Sequence, residues 1–329
     1  MNLIDRRALL RQGLAATGAL ALGGAARAQD FPVRPVRLFT PFPAGSGPDA
    51  SLRLVAEQLS RRWKQPVVVD NRPGGNGFIA VAAFKQGAAD GHDLIQLDST
   101  HVTAHPSTFA QLPYDVQRDF APLRMILRTP FFVAVGAGSP YRGLGDLIRA
   151  ARARPGRVSY GSWFNGSPGH LGGLLLQGQM DLSMLHVPFR DFGQLYTAVA
   201  NRDVDWALAS AATAGPLEKA GRLRFIALAA PRRDPLYPGV PATAESPSTR
   251  GYEISAWAAL FGPAAIAGAR QNAIAADIAQ ALAAPDVARA YETLGYEAPD
   301  LPPARLDALI RRETARWGEI IKTAHLRLD

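Results

Sequence analysis

The stretch VRLFTPFPAGSGPDASLRLVAEQLSRRW, residues 36–63, decides the fold. It opens on an apolar, β-rich run, Val36 to Phe42, that reads as a buried strand. A turn of small residues follows, and then an amphipathic run. From Asp49 to Trp63, Leu52, Val55, Ala56 and Leu59 share one face at helical spacing, with Arg53, Glu57, Arg61 and Arg62 elsewhere. Strand, glycine-bearing turn and helix in that order are the opening unit of an α/β sheet. In the turn itself, PFPAGSGPD, small residues let the backbone approach a ligand closely, and the free N–H groups at a helix start favour an anionic oxygen. The same residues also suit a plain strand-to-helix link. Asp49 is expected to cap the helix.

Outward from this unit the alternation continues. Further strands are expected at 66–70, 93–97, 131–135, 158–161, 184–188, 204–209 and 223–228, with helices at 144–153, 169–177 and 192–201 between them. The C-terminal part turns helical, at 270–283, 287–294 and 303–323. Trp257, in SAWAALFGP, reads as packing in a core or at a seam between domains. Turn formers cluster at Thr129-Pro130 and across Pro231 to Gly251, which marks two crossings between domains. The expected organisation is one domain from 29–130 plus 251–329 and a second from 131–250. A second small-residue stretch, YGSWFNGSPGH (Tyr160 to His170), also lies between an expected strand and an expected helix. Two such loops in two domains can face each other across a cleft and hold a small molecule with hydroxyls, amides and backbone donors.

The chain has 329 residues, enough for two cores, and its 47% apolar and 19% charged content excludes a disordered chain. Residues 1–28 read as an export leader: Arg6 and Arg7 precede the apolar run Leu14 to Ala26, and Ala26-Arg27-Ala28 fits a cleavage site. The arginine pair further suggests the twin-arginine route. A periplasmic location is therefore expected. The absence of cysteine excludes disulfides, thiolate nucleophiles and cysteine-held metals. Part of the formal +8 charge sits in the leader, and the remaining basic residues are scattered with no aromatic platform, so no nucleic-acid partner is expected.

The competing motifs are weaker. Gly75-Asn76-Gly77-Phe78-Ile79-Ala80 has the spacing of a dinucleotide fingerprint, the basis for an alternative reading as a periplasmic dinucleotide-dependent oxidoreductase. It follows the second expected strand, however, and Pro73-Gly74 intervenes; a turn before a helix is the favoured reading. Asn165-Gly166-Ser167-Pro168-Gly169 departs from a nucleophile elbow at its first glycine. His101 and His105 have metal-ligand spacing, but Pro106 follows and no HExxH carboxylate accompanies them. No catalytic residue, metal or cofactor is expected.

Taken together, the segments PVRPVRLFTPFPAGSGPD, QPVVVDNRPGGNG, LPYDVQRDFAPL, ARPGRVSYGS, GSPGHL, HVPF, AGRLRFIAL, VPATAES, GYEISAWAALFGPA and WGEIIKTAHL, in that order, resemble the Bug family. These are the periplasmic receptors of tripartite tricarboxylate transporters. The resemblance implies an α/β fold of two domains, a type II-like periplasmic-binding-protein flytrap with its cleft between two mixed, mainly parallel sheets. It implies a monomeric receptor for a small carboxylated ligand, serving membrane transporter subunits or a sensor protein. Carried over position by position, the ligand loops are Phe42, Ala44, Gly45, Ser46 and Gly47; Ser99 and Thr100; and Ser162, Asn165, Gly166 and Ser167. Phe189 and Asp191 after HVPF, and the end of the strand containing Asp205, complete the set. The hydroxyls of Ser46 and Ser167 are expected to donate to ligand oxygens. Ser46 and Pro48 depart from the family's FPAGGGTD, and Phe189-Arg190-Asp191 replaces its Tyr-Lys-Gly, so the family does not fix the ligand. Asp191 then has three readings: it meets a ligand ammonium, pairs with Arg190, or points to solvent from a turn.

Overall fold

The computed structural model describes residues 31–328, so the leader and its export route lie outside the described residues. Along the chain come β1 (Val36–Thr40), α1 (Gly47–Trp63), β2 (Val67–Asn71), α2 (Phe78–Lys85), β3 (Asp93–Asp98), the short helices α3 (His105–Thr108) and α4 (Val116–Asp119), and β4 (Phe120–Pro130). They are followed by β5 (Phe132–Gly136), α5 (Leu144–Ala153), β6 (Ser159–Ser162), α6 (Pro168–Met180), β7 (Leu185–Pro188), α7 (Phe192–Asn201), β8 (Trp206–Ala209), α8 (Ala211–Lys219) and β9 (Leu223–Leu228). The chain closes with β10 (Ser255–Pro263), α9 (Gly268–Leu282), α10 (Pro285–Leu294) and α11 (Pro303–Thr323).

These strands form two five-stranded sheets, ordered β2-β1-β3-β10-β4 and β7-β6-β8-β5-β9. In the first, β1 runs parallel to β2 and β3, and β10 runs antiparallel to β3 and β4. In the second, β6 runs parallel to β7 and β8, and β5 runs antiparallel to β8 and β9. The two pairing types are thus balanced in each sheet, with more antiparallel pairing than the strand–helix alternation implied. β4 and β10 supply the antiparallel part of the first sheet, and neither shows in the sequence pattern. β10 is a nearly continuous apolar run with no polar alternation, and β4 carries Pro122 and ends at Pro130.

Alternation sorts the first sheet's side chains onto two faces. Leu38 and Leu94 pack with Leu52, Val55 and Leu59 of α1 and Ile274 and Ile278 of α9. Phe39, Ile95 and Trp257 pack on the other face with Val81 and Phe84 of α2 and Leu306 and Ile310 of α11. A separate core surrounds the second sheet, built on Val133, Tyr160, Leu176, Tyr196 and Trp206. It also takes in Trp317 and Ile321, from the far end of α11. One helix therefore contributes to both cores.

The chain passes from the first sheet to the second through Phe131 alone, between β4 and β5. It returns between Ile254 and Ser255, and the two passages are tied together. Phe131 N–H donates to Ile254 O (3.2 Å), Ile254 N–H to Ala229 O (3.0 Å) and Ala229 N–H to Phe131 O (2.8 Å).

Candidate ligand-binding site

On the first sheet the junction after β1 is held from beneath. Thr40 Oγ1 donates to Gln96 Oε1 (2.7 Å), whose amide donates to Pro48 O (3.1 Å). The buried Asp49 carboxylate accepts from Gly45 N–H (2.8 Å), Arg53 Nε (2.9 Å) and Asn71 Nδ2 (2.8 Å), and Asn71 also donates to Phe42 O (3.0 Å). Burial alone would raise the Asp49 carboxyl, but those donors outweigh it and hold it below the ordinary carboxylate value. The cap of α1 is therefore not Asp49 but Ser46, whose Oγ accepts from Asp49 N–H (3.4 Å) and donates to Pro43 O (2.7 Å). With its proton committed to a carbonyl, Ser46 has none ready for a ligand oxygen. Gly45, at φ +80, aims the loop, and Ala44 and Gly45 are exposed beside the half-buried Phe42.

Two partners of this loop come from elsewhere in the chain. His101 Nδ1 and N–H both bond Asp98 Oδ1 at the end of β3, and the His101 ring lies edge-on to Phe42, 6.2 Å between centroids. Burial opposes the charge on Asp98, yet the adjacent His101 ring and amide hold its carboxyl below the ordinary value. The Tyr296 hydroxyl sits over Gly47 so closely that a Cβ there would come within 2.1 Å of it. Neither residue carries a local sequence signal, because each reaches the loop through the fold.

The glycine run at 75–80 is explained by the same neighbourhood. Gly77 has φ +84, and a Cβ on it would lie 2.3 Å from His101 Nε2. That glycine makes room for a histidine, not for a pyrophosphate. Gly77→Ala is expected to cost about 1–3 kcal/mol through strained backbone and a displaced imidazole. Urea unfolding checks this, and an unchanged midpoint would contradict it. Among the described residues no group of His, Cys, Asp and Glu is arranged to hold a metal.

On the second sheet the junction after β6 is built from histidines. Ser162 Oγ lies 3.0 Å from Phe164 O and 2.7 Å from His186 Nε2, and Gly166 N–H donates to His170 Nδ1 (3.0 Å). The two imidazoles stack, 3.8 Å apart and 3° from parallel. Burial pushes His170 down to about 3 and His186 to about 4, so both are neutral at pH 7. Ser167, fully buried, caps α6 by accepting from His170 N–H (3.3 Å), while Asn165 is exposed at the loop tip. Phe189 N–H donates to Ser162 O (2.8 Å), which joins the loop after β7 to this one. Asp191 is exposed and caps α7 by accepting from Gln194 N–H (2.8 Å), and it makes no ion pair with Arg190.

Asp205 is the residue that the structure places elsewhere. It precedes β8, and its carboxylate accepts from Ser159 N–H (2.8 Å) at the start of β6, the opposite end of the sheet from the loops. Ser210, at the far end of β8, occupies the loop end and caps α8 with Thr213. The end of β3 and the start of α6 meet across the seam: Ser99 and Thr100 line a cavity of about 10 Å³ with Pro168 and Leu171, one water in size. Those two predicted residues therefore form the floor between the sheets. A larger hollow of about 330 Å³, beside Trp257, Arg305 and Glu313, is lined by none of these loop residues.

The sequence and the fold both match known proteins. A family described as the tripartite tricarboxylate transporter family receptor matches residues 51–326. A UPF0065 protein in the tcbD-tcbE intergenic region of Pseudomonas sp. (strain P51) is 32% identical over 318 residues, 97% of this chain and 94% of that protein. Among solved structures, R. palustris Rpa4515 with adipate is 28% identical with TM-score 0.77, covering 90% of this chain and 99% of that one. MatC (Rpa3494) from Rhodopseudomonas palustris with bound malate is 26% identical with TM-score 0.73, covering 88% and 100%.

Proposed function

The chain belongs to the receptor family of the tripartite tricarboxylate transporters, and on that premise we propose that it binds one small carboxylate between its two sheets. It delivers that ligand to membrane transporter subunits or to a signalling partner, outside the cytoplasm, and performs no chemistry on it. One observation carries the reading. Two strand–loop–helix junctions, one on each sheet, end in the serine caps Ser46 and Ser167, and Pro168, next to the second cap, packs at the seam with Ser99 and Thr100 from the first sheet. Backbone N–H groups at such helix starts suit a carboxylate. The adipate and malate held by two relatives support this ligand class. Among the described residues no helix is long and apolar enough to cross a membrane.

A carboxylate at about 100 times its dissociation constant is expected to stabilise the protein by about 2.7 kcal/mol by mass action. Thermal unfolding across aliphatic dicarboxylates, amino acids and aromatic acids reads this directly. If no acid in that panel raises the melting temperature, the receptor reading falls.

A further inference from the structure

The loops of the second sheet expose more ring surface than holding an anion requires. Among the described residues, Phe164 (51% exposed) and Phe192 (39%) are the only aromatic side chains in the group of exposed large apolar residues. Phe164 lies in the loop after β6, among the candidate ligand residues, and Phe192 in the first turn of α7, directly after Asp191. Phe192 belongs to a continuous tier: Trp163, nearly buried, lies 5.0 Å from the Phe192 ring and 5.6 Å from Phe131. Phe164 has no ring neighbour of its own among the described residues. From the first sheet, Phe42 adds a half-buried ring beside the glycine loop. Leaving two phenyl rings in water on these neighbouring candidate loops costs hydrophobic free energy that a flat apolar ligand recovers, with stacking added to area burial.

We infer that the ligand is an aromatic carboxylate, its carboxylate at the loop amides and its ring against Phe164 and Phe192. This rests on the receptor reading and narrows it. The test is calorimetry on purified protein, unfolded and refolded to strip carried-over ligand. The probes are benzoate, phenylacetate, cyclohexanecarboxylate, adipate and malate. Benzoate or phenylacetate is expected to bind at least about ten-fold tighter than either aliphatic diacid. Phe164→Ala and Phe192→Ala are each expected to weaken the aromatic acid by about three- to ten-fold and to spare the diacids. Phe164→Leu, which keeps apolar bulk without the ring, is expected to restore only part of the loss.

Tighter binding of malate or adipate than of any ring acid would overturn the inference while leaving the receptor reading intact. So would phenylalanine variants that bind every probe like the unaltered protein, which would assign the rings to a docking partner. Binding of none of the five probes would overturn the inference together with the receptor reading on which it rests.

Discussion

Acidification from pH 6.5 toward 4 is expected to remove several kcal/mol of stability, with three histidines responsible. Burial holds His105 and His170 down at about 3 and His186 at about 4, against 6.5 for the free side chain. Each is neutral in the folded protein and free to protonate in the unfolded chain. Below 6.5 the unfolded state therefore binds more protons, and stability falls as pH falls, by up to ~1.4 kcal/mol per pH unit for each histidine. That contribution is complete above pH 6.5 and is lost progressively toward the folded-state values. Glu313 runs the other way, since burial raises its carboxyl above the ordinary value and the folded protein takes up that proton first as pH falls. The depressed carboxyls of Asp49 and Asp98 add their own losses only at still lower pH.

The consequence reaches the ligand loop, because protonating His170 puts hydrogen on the Nδ1 that accepts from Gly166 N–H. Denaturant melts at pH 7 and 5 are expected to report uptake of about two to three protons on unfolding. His170→Gln is expected to lower that uptake by about one. An uptake below one proton in the unaltered protein would remove the histidines from this role.

Asp49→Ala is expected to cost ~2–4 kcal/mol and to abolish measurable ligand binding. The substitution leaves Gly45 N–H without its acceptor and strips the Asn71 amide of its charged one, so the loop keeps only the weaker ties to Phe42 O and Pro48 O, and charged acceptors are costly to lose. Arg53 is half exposed and recovers its hydration, which keeps the cost below that of a fully buried ion pair. Asp49→Asn keeps the size and one acceptor, so a smaller loss is expected. Urea unfolding separates the two variants, and calorimetry on the folded fraction reads the loop. Full ligand affinity in Asp49→Ala would show that the loop keeps its shape without the carboxylate.

The sequence made the strand–turn–helix unit at 36–63 legible because Leu52, Val55 and Leu59 repeat at helical spacing and the small residues of the turn have few other uses. It misassigned the cap because Ser46 and Asp49 are equally good cap residues; only the fold turns Asp49 inward, to Gly45 and Asn71. β4 and β10 were hidden for a different reason, since buried strands lack the alternation that marks half-exposed ones. Asp205 was assigned to the loops by resemblance alone; it stands at the start of the strand, and the residue at the loop end of β8 is Ser210. His101 and Tyr296 reach the loop from 59 and 254 residues beyond Phe42, and no local pattern encodes such encounters. By contrast, the stacked His170 and His186 pair adjacent elements whose register had to be known first.

The sharing of α11 between the two cores bears on the order of synthesis. Leu306 and Ile310 complete one core and Trp317 and Ile321 the other, so neither is whole until α11 has left the ribosome. The second sheet is made in full between the two parts of the first, yet it must wait for a helix translated some ninety residues after its last strand, β9. Nascent chains therefore expose the seats of Trp317 and Ile321 throughout elongation, and the two halves mature together at the end instead of one after the other.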